Sequence, residues 1–360
     1  MKITDVRSTV LVTRSIIVQV FTDEGLVGLG ECSPMHAGLI STFVDTVLKP
    51  RVLGLDPRCV DEVWSSMFYA PYKLGVQGAH LEAMSGVDIA CWDILGKATG
   101  MPIWQLLGGR YRERVTMYKS IGGGMRLTPA EMAAKVEQAL TEGFRAVKIR
   151  MDWGPARQDV DPAKDLAMFR ACKQVTGEDV LLSFDPNNGY SVSTAIRQGR
   201  RFEDLGIYHY EEPVAQYDYA GIAQVAHALD VPVAAGEHEY TRWQFRDLIE
   251  QAKVDIIQPD IVKSGGITET RRIAVLGDTY NKPFVPHQTQ PTIGTAANLH
   301  LIASLVNANR PQEFTGQNPR LDSLFRDPLQ FTAGQITVPT GPGLGLELTE
   351  GALERLKSQD

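Results

Sequence analysis

Asp185, Glu211 and Glu237 stand at equal intervals: from 185 to 211 and from 211 to 237 is 26 residues in each case. One strand-and-helix unit has about that length, so the spacing puts a carboxylate at the same end of three successive strands. Three carboxylates brought together repel one another unless a cation sits among them. All-oxygen donors, with water completing the shell, are the coordination chemistry of Mg²⁺. Singly, each acid could equally be a helix cap or a surface charge; the even register argues for a shared site. Asp260, in Gln258-Pro259-Asp260, and His287, in Val285-Pro286-His287, hold the next two such positions. A carboxylate beside an imidazole fixes its tautomer and raises its basicity, so this pair is expected to move a proton. Lys148 and Arg150 close an earlier apolar run and Glu313 follows a later one. A lone histidine at a strand end is more often structural. With Glu313 one strand on and Lys148 across the site, His287 reads as a base or an acid.

Positioning these residues requires a particular scaffold. From Val115 onward short apolar runs alternate with amphipathic helical segments: Ala146–Ile149, Val180–Phe184, Ile207–Tyr210, Val231–Ala234, Asp255–Ile257 and Pro283–Val285. Thr128-Pro129-Ala130-Glu131 is a capping box with Pro at the first helical position, and Gly143 ends that helix. Asp161-Pro162 opens the next helix and Gly177 closes it. Strand and helix repeated this often imply an α/β fold with a parallel sheet and helices outside. About eight units without a Gly-x-Gly-x-x-Gly fingerprint favour a (β/α)-barrel over a doubly wound sheet. Ahead of it, Ile16–Val20, the Asp23-Glu24-Gly25 turn and Leu26-Val27-Gly28 predict a hairpin. Helical patterns follow over roughly 37–50, 58–69 and 79–98, the last stopped by Gly100. The expected organisation is an α+β capping domain over 1–112 and the barrel over 113–330. A turn-rich segment, 331–360, is expected to return to the capping domain through Ile336–Pro339 and Gly341–Leu346.

The chain has 360 residues, a hydrophobic fraction of 43% and a net charge of −7. Nothing in that balance favours nucleic acid or an anionic membrane. No apolar run reaches the roughly 20 residues of a transmembrane helix, and the start lacks a signal-peptide stretch. Cys32, Cys59, Cys91 and Cys172 are scattered without metal spacing and are expected to be buried, reduced thiols of a cytoplasmic protein. An anionic substrate on an acidic protein needs a local cation, which the metal and Lys148 with Arg150 would supply.

The strand-end set, together with Glu211-Glu212-Pro213, Gly236-Glu237, Gln258-Pro259-Asp260 and Gly265-Gly266-Ile267-Thr268, resembles the mandelate racemase subgroup of the enolase superfamily. The likeness runs through essentially the whole chain, including the Gly341-Pro342-Gly343-Leu344-Gly345 tail. It implies a TIM-like barrel of the modified (β/α)7β type and one Mg²⁺ per subunit held by Asp185, Glu211 and Glu237. It further implies Asp260–His287 as the acid–base dyad, and Glu313 as the acid that hydrogen-bonds the substrate carboxylate away from the metal. Asn187 and Lys263 match polar residues near the metal and dyad. The subgroup's usual Lys-x-Lys reads Lys148-Ile149-Arg150 here. Arginine is nearly always protonated, so Arg150 is expected to be a fixed cation. Lys148 could serve as a base if Arg150 and desolvation lowered its pKa, but its counterpart in the family is electrostatic.

One competent base suits dehydration of a sugar acid better than racemisation, which needs two. A racemase, epimerase or cycloisomerase on the same scaffold is the alternative. Substrate contacts are expected from His36, Tyr72 and Lys73 in capping-domain loops, with Tyr69 nearby, and from Asn187. His238 is expected either behind the metal ligands or facing the substrate. His80, His209, His227 and His300 read as structural. The expected partner is a small-molecule carboxylate, with the chain assembled as a homo-oligomer.

Overall fold

The structure, a computed structural model, describes residues 1–358. Its N-terminal part is a three-stranded antiparallel sheet, β1 (Ile3–Val10), β2 (Ile16–Thr22) and β3 (Val27–Cys32), in the order β1-β2-β3. The predicted hairpin is β2–β3, and β1 adds a strand that its more polar sequence concealed. Gly25 in the turn has φ +81°, a backbone conformation that costs glycine little. Helices α1 (Ala37–Phe43), α2 (Val60–Tyr69) and α3 (Ala79–Thr99) cover the sheet. Gly100 ends α3 in the left-handed conformation, as expected. α3 is buried nearly all round because it is wedged between this sheet and the barrel.

The second part is a parallel barrel. Its named strands are β4 (Arg114–Ile121), β5 (Ala146–Arg150), β6 (Leu181–Asp185), β7 (Tyr210–Glu211), β8 (Val233–Ala235) and β9 (Ile256–Ile257), followed by a further stave at 283–287 and β10 (Gln312–Phe314). That stave pairs only through single bridges, Ile257 with Phe284 and Asp260 with His287. Pro283 and Pro286 cannot donate a ladder hydrogen bond, and this is why Pro283–Val285 is not a regular strand. β10 closes the barrel by pairing in parallel with β4, Glu313 opposite Tyr118.

The helices between staves are α4 (Pro129–Thr141), α5 (Pro162–Thr176), α6 (Val192–Glu203), α7 (Tyr219–Ala228), α8 (Arg242–Glu250), α9 (Gly266–Thr279) and α10 (Ile293–Ser304). Eight staves with seven intervening helices make the (β/α)7β arrangement. The capping box of α4 is complete: Thr128 Oγ1 accepts from Glu131 N and Glu131 Oε2 from Thr128 N. Asp161 caps α5 by accepting from Lys164 N at 2.9 Å.

The C-terminal segment divides its contacts. β11 (Phe331–Thr332) and β12 (Gln335–Thr337) form a hairpin that joins the barrel, with Ile336 opposite Val115 of β4. Ile336 thus packs on the barrel, while Pro339 O accepts from Trp104 Nε1 of the first domain at 3.0 Å. The return continues from there. Gly343 N–H bonds to Met101 O, Leu344 N–H to Asp93, and Ser358 N–H to Val10 O. All four cysteines are free; Cys32, Cys91 and Cys172 are buried, but Cys59 is exposed, against the expectation of four buried thiols. No helix among the described residues is long and apolar enough to cross a membrane.

Candidate active site

The strand ends converge on one rim of the barrel. Lys148 is completely buried, in contact with Glu211 Oε1 and 3.0 Å from Glu313 Oε1. Burial alone would lower its pKa, but the charges of Glu211 and Glu313 hold it well above the ordinary lysine value. These charges favour the ammonium form of Lys148. Glu211 Oε2 accepts from Gln258 Nε2 at 2.6 Å. Burial opposes ionisation of Glu211, yet Lys148 and His209 outweigh it and keep the carboxyl well below its usual range.

Asp185 is fully buried and is pushed up by burial and then by the charge of Glu211. Its carboxylate accepts from Asn187 N at 2.6 Å and Asn187 Nδ2 at 2.9 Å, while Asn187 Oδ1 accepts from Asp152 N at 2.8 Å. Asn187, Asn188 and Glu212 all have positive φ, a strained geometry typical of residues that loops hold for function. Gly236, before Glu237, has φ +142°, and a β-carbon there would lie 2.8 Å from Gln258 N. Glycine thus lets β8 turn Glu237 into the rim. Lys263 Nζ donates to the Glu237 carbonyl oxygen.

Glu237 lies between two imidazoles, Oε2 at 3.5 Å from His287 Nε2 and Oε1 at 3.7 Å from His238 Nε2. His287 Nδ1 is 2.8 Å from Asp260 Oδ2. Asp260 is itself held by Val262 N–H at 2.9 Å. Burial would lower the His287 pKa, but the Glu237 charge and the Asp260 hydrogen bond raise it to about 10. His238 Nε2 is 3.3 Å from Glu212 Oε2, which also accepts from Asn188 Nδ2 at 2.7 Å.

Arg150 has Nε 3.3 Å from Asp152 Oδ1. Burial pulls its pKa down, while Asp185, Asp152 and Glu313 pull it further up. The guanidinium tip lies over Gly122, where a β-carbon would come within 2.6 Å of Nη2. Glu313 Oε2 accepts from Gln288 N at 2.9 Å, and Oε1 faces Lys148. These contacts tie Glu313 to Lys148 and to the loop that follows His287.

Two groupings could hold a cation. Asp185, Glu211 and Glu237 end consecutive staves and perturb one another's ionisation; their all-oxygen chemistry suits Mg²⁺. Glu212, Glu237 and His238 bring one ligand atom each within 4.8 Å of one another. That set includes a ring nitrogen, which favours a transition metal over Mg²⁺. The sequence reading did not single out Glu212 as a ligand, although the Glu-Glu pair marked the place.

His36, Tyr72 and Lys73 are exposed, and none lines the cavity that opens beside His238. From the capping domain that cavity receives Gln77 and Gly78 instead. His80 Nε2 donates to the Gly75 carbonyl, His209 is buried against Ser183 Oγ, and His300 Nε2 donates to Leu344 O, all structural settings.

Residues 3–108 match the mandelate racemase/muconate lactonizing enzyme N-terminal domain, and residues 131–352 match the enolase C-terminal domain-like family. Arabinonate dehydratase of Saccharolobus solfataricus is 33% identical over 347 residues, 95% of this chain and 90% of that protein. D-galactarolactone cycloisomerase of Agrobacterium fabrum is 33% identical over 360 residues, 96% and 92%. A solved mandelate racemase/muconate lactonizing protein from Paracoccus denitrificans, complexed with magnesium, superposes with a TM-score of 0.93 at 37% identity, covering 99% of this chain and 96% of that one.

Proposed function

The chain belongs to the mandelate racemase/muconate lactonizing enzyme family of the enolase superfamily, and from that premise we propose that it is a Mg²⁺-dependent sugar-acid dehydratase of the cytoplasm, forming a 2-keto-3-deoxy acid. The observation that carries this reading is the asymmetry of the rim. One side has an imidazole–carboxylate dyad, Asp260–His287 at 2.8 Å. The other has the guanidinium of Arg150 and the amine of Lys148, whose ammonium form the Glu211 and Glu313 charges favour. A single group able to exchange a proton suffices for dehydration and falls short of racemisation.

Asp185, Glu211 and Glu237 would hold one Mg²⁺ per subunit, and Glu211 and Asp185 are oriented for it by Gln258 and Asn187. Bound there, the ion would polarise the substrate carboxylate and offset the Glu237 charge that now holds the proton on His287. Lys148 and Arg150 supply positive charge where the carboxylate gains electron density. His287 Nε2, the nitrogen not engaged by Asp260, takes the α-proton, and the C–H electrons move onto the carboxylate. When they return to form the C2–C3 double bond, the 3-hydroxyl leaves, taking the proton from His287 and departing as water. The enol then tautomerises to the 2-keto-3-deoxy acid.

Incubating the enzyme with Mg²⁺ and a library of aldonic and aldaric acids, and assaying for 2-keto acids, tests the reading. No keto acid from any member would sink it. A second reading is supported by the similarity to the cycloisomerase, since ring opening of a lactone also needs one base. Deuterium incorporation in D₂O with no keto acid released would favour it.

A further inference from the structure

A cavity of about 560 Å³ opens between the barrel rim and the capping domain, and the mechanism above does not use it. His238 lines it and borders the reacting centre, with Nε2 3.7 Å from Glu237, itself 3.5 Å from His287. Gln77 roofs it from the capping domain, fastened to Gln244 of α8 by a 2.5 Å hydrogen bond. A second tie between the domains, Tyr240 Oη to Glu82 Oε1 at 2.9 Å, stands beside it.

The lining is hydroxyl and amide, from Gln77, Gln216, Tyr217, Tyr219 and Gln244, with Glu239 as its one carboxylate. Two buried acceptors there lack partners. Glu239 receives Tyr219 Oη at 3.1 Å on Oε1 while its Oε2 is unpaired, and Gln216 Oε1 is unpaired as well. Among the described residues no lysine or arginine lines the cavity. Of the charged groups around it, His238 is paired with Glu212 and the ammonium of Lys263 is spent on the Glu237 carbonyl. The other cations of the site, Lys148 and Arg150, do not line it.

We propose that this cavity receives the hydroxylated tail of the substrate and selects aldonic acids, with one carboxylate, over aldaric acids, with two. The proposal rests on the sugar-acid reading of the site. A hydroxyl can donate to Glu239 and Gln216 and accept from a tyrosine or glutamine, satisfying both partners. A second carboxylate only accepts, so it would find no cation in the lining and fewer donors than a hydroxyl tail can use. Selection of this kind comes from the repulsive element as much as from the attractive ones.

Calorimetric titration in Mg²⁺ with a six-carbon aldonic acid, the aldaric acid of the same stereochemistry and a four-carbon aldonic acid tests the assignment. The wild type is expected to bind the six-carbon aldonate at least about tenfold more tightly than the aldarate, and Gln216→Lys to narrow that ratio by about fivefold or more. Gln244→Ala should weaken the six-carbon acid by about fivefold while moving the four-carbon acid, too short to reach, by less than about twofold. Equal affinity for aldonate and aldarate, no binding of either, or equal losses for long and short acids in Gln244→Ala would each overturn the assignment. A keto-acid assay on the same samples separates the two claims. Aldonates bound selectively but left unchanged would defeat dehydration alone, and turnover without selectivity would defeat the cavity assignment alone.

Discussion

The buried carboxylate of Asp88, on α3 of the capping domain, accepts the backbone N–H of Thr268 at 3.0 Å in the first turn of barrel helix α9. Glu31 at the end of β3 does the same for Gly294 at the start of α10, at 2.8 Å. These are the helices that follow Asp260 and His287, so the capping domain secures the two loops that carry the dyad. Both acids are displaced upward by burial, to about 7, with the hydrogen bonds opposing the shift.

An acid whose folded pKa is raised stabilises the fold while it is protonated. The Asp88 contribution is therefore complete below its ordinary value of 3.8 and is lost as the pH climbs through about 7. Each pKa unit is worth ~1.4 kcal/mol, so Asp88 alone should cost on the order of 4 kcal/mol between those limits. Urea unfolding is expected to show stability falling from pH 5 to pH 8, with a flatter fall in Asp88→Asn. A stability that rises across that range in the wild type would contradict the assignment.

Lys148 is the counter-ion of two buried acids, and removing it leaves both uncompensated. Lys148→Met should lower the unfolding free energy by roughly 3–5 kcal/mol, the cost of breaking a buried pair by deleting one partner. The double variant Lys148→Met/Glu313→Gln should recover part of that loss. Denaturant titrations of the three proteins check both statements; activity should be absent from each variant.

Much of this was legible in the sequence, and the parts that were not have physical reasons. Thr128, Asp161 and Gly100 announce helix ends because capping chemistry is local, a matter of one side chain and one backbone conformation. Asp185, Glu211 and Glu237 are legible as strand-end acids because a repeating unit gives them a register. Glu313 is legible as a strand-end acid, but the bounds of β10 are not, because Gln312-Glu313-Phe314 is three residues long and defined by its pairing with β4 rather than by its pattern. His36, Tyr72 and Lys73 stand in exposed loops, and nothing in a local sequence says which way a loop folds. Gln77, Gln216 and Gln244 gave no signal, because a neutral amide becomes part of a site only through its neighbours.

His287→Asn should cost about 10³-fold or more in turnover, within the range general acid–base catalysis supplies, while unfolding and Mg²⁺ affinity stay near those of the wild type. Asparagine keeps a polar group near Asp260 and removes the exchangeable imidazole proton. Turnover within tenfold of the wild type would show that another group moves the proton.

Asp185→Asn should act in opposite directions with and without metal. Asp185 is a buried carboxylate repelled by Glu211, so neutralising it should stabilise the protein in EDTA. In Mg²⁺ the wild type should gain about 2.7 kcal/mol at a hundred times the dissociation constant, and the variant should gain little. Thermal shifts in both buffers read the crossover; a variant that responds to Mg²⁺ as the wild type does would remove Asp185 from the ligand set.

Arg150 decides whether the site has one base or two. Its guanidinium, 3.3 Å from Asp152 and lying over Gly122, stays charged because the surrounding carboxylates outweigh its burial. Arg150→Lys replaces it with an amine that can titrate, placed near the Lys148 ammonium, which would lower its pKa toward that of a useful base. The variant is expected to gain slow exchange of the substrate α-proton in D₂O, while dehydration through His287 falls as the planar, multi-donor head is lost. The decisive control is His287→Asn, followed by NMR of the α-proton. With Arg150 a fixed cation, that single variant should show no exchange, and His287→Asn/Arg150→Lys should restore some. Exchange in the single variant that vanishes on adding Arg150→Met would instead make Arg150 the base, and the asymmetry on which the dehydratase reading rests would fall with it.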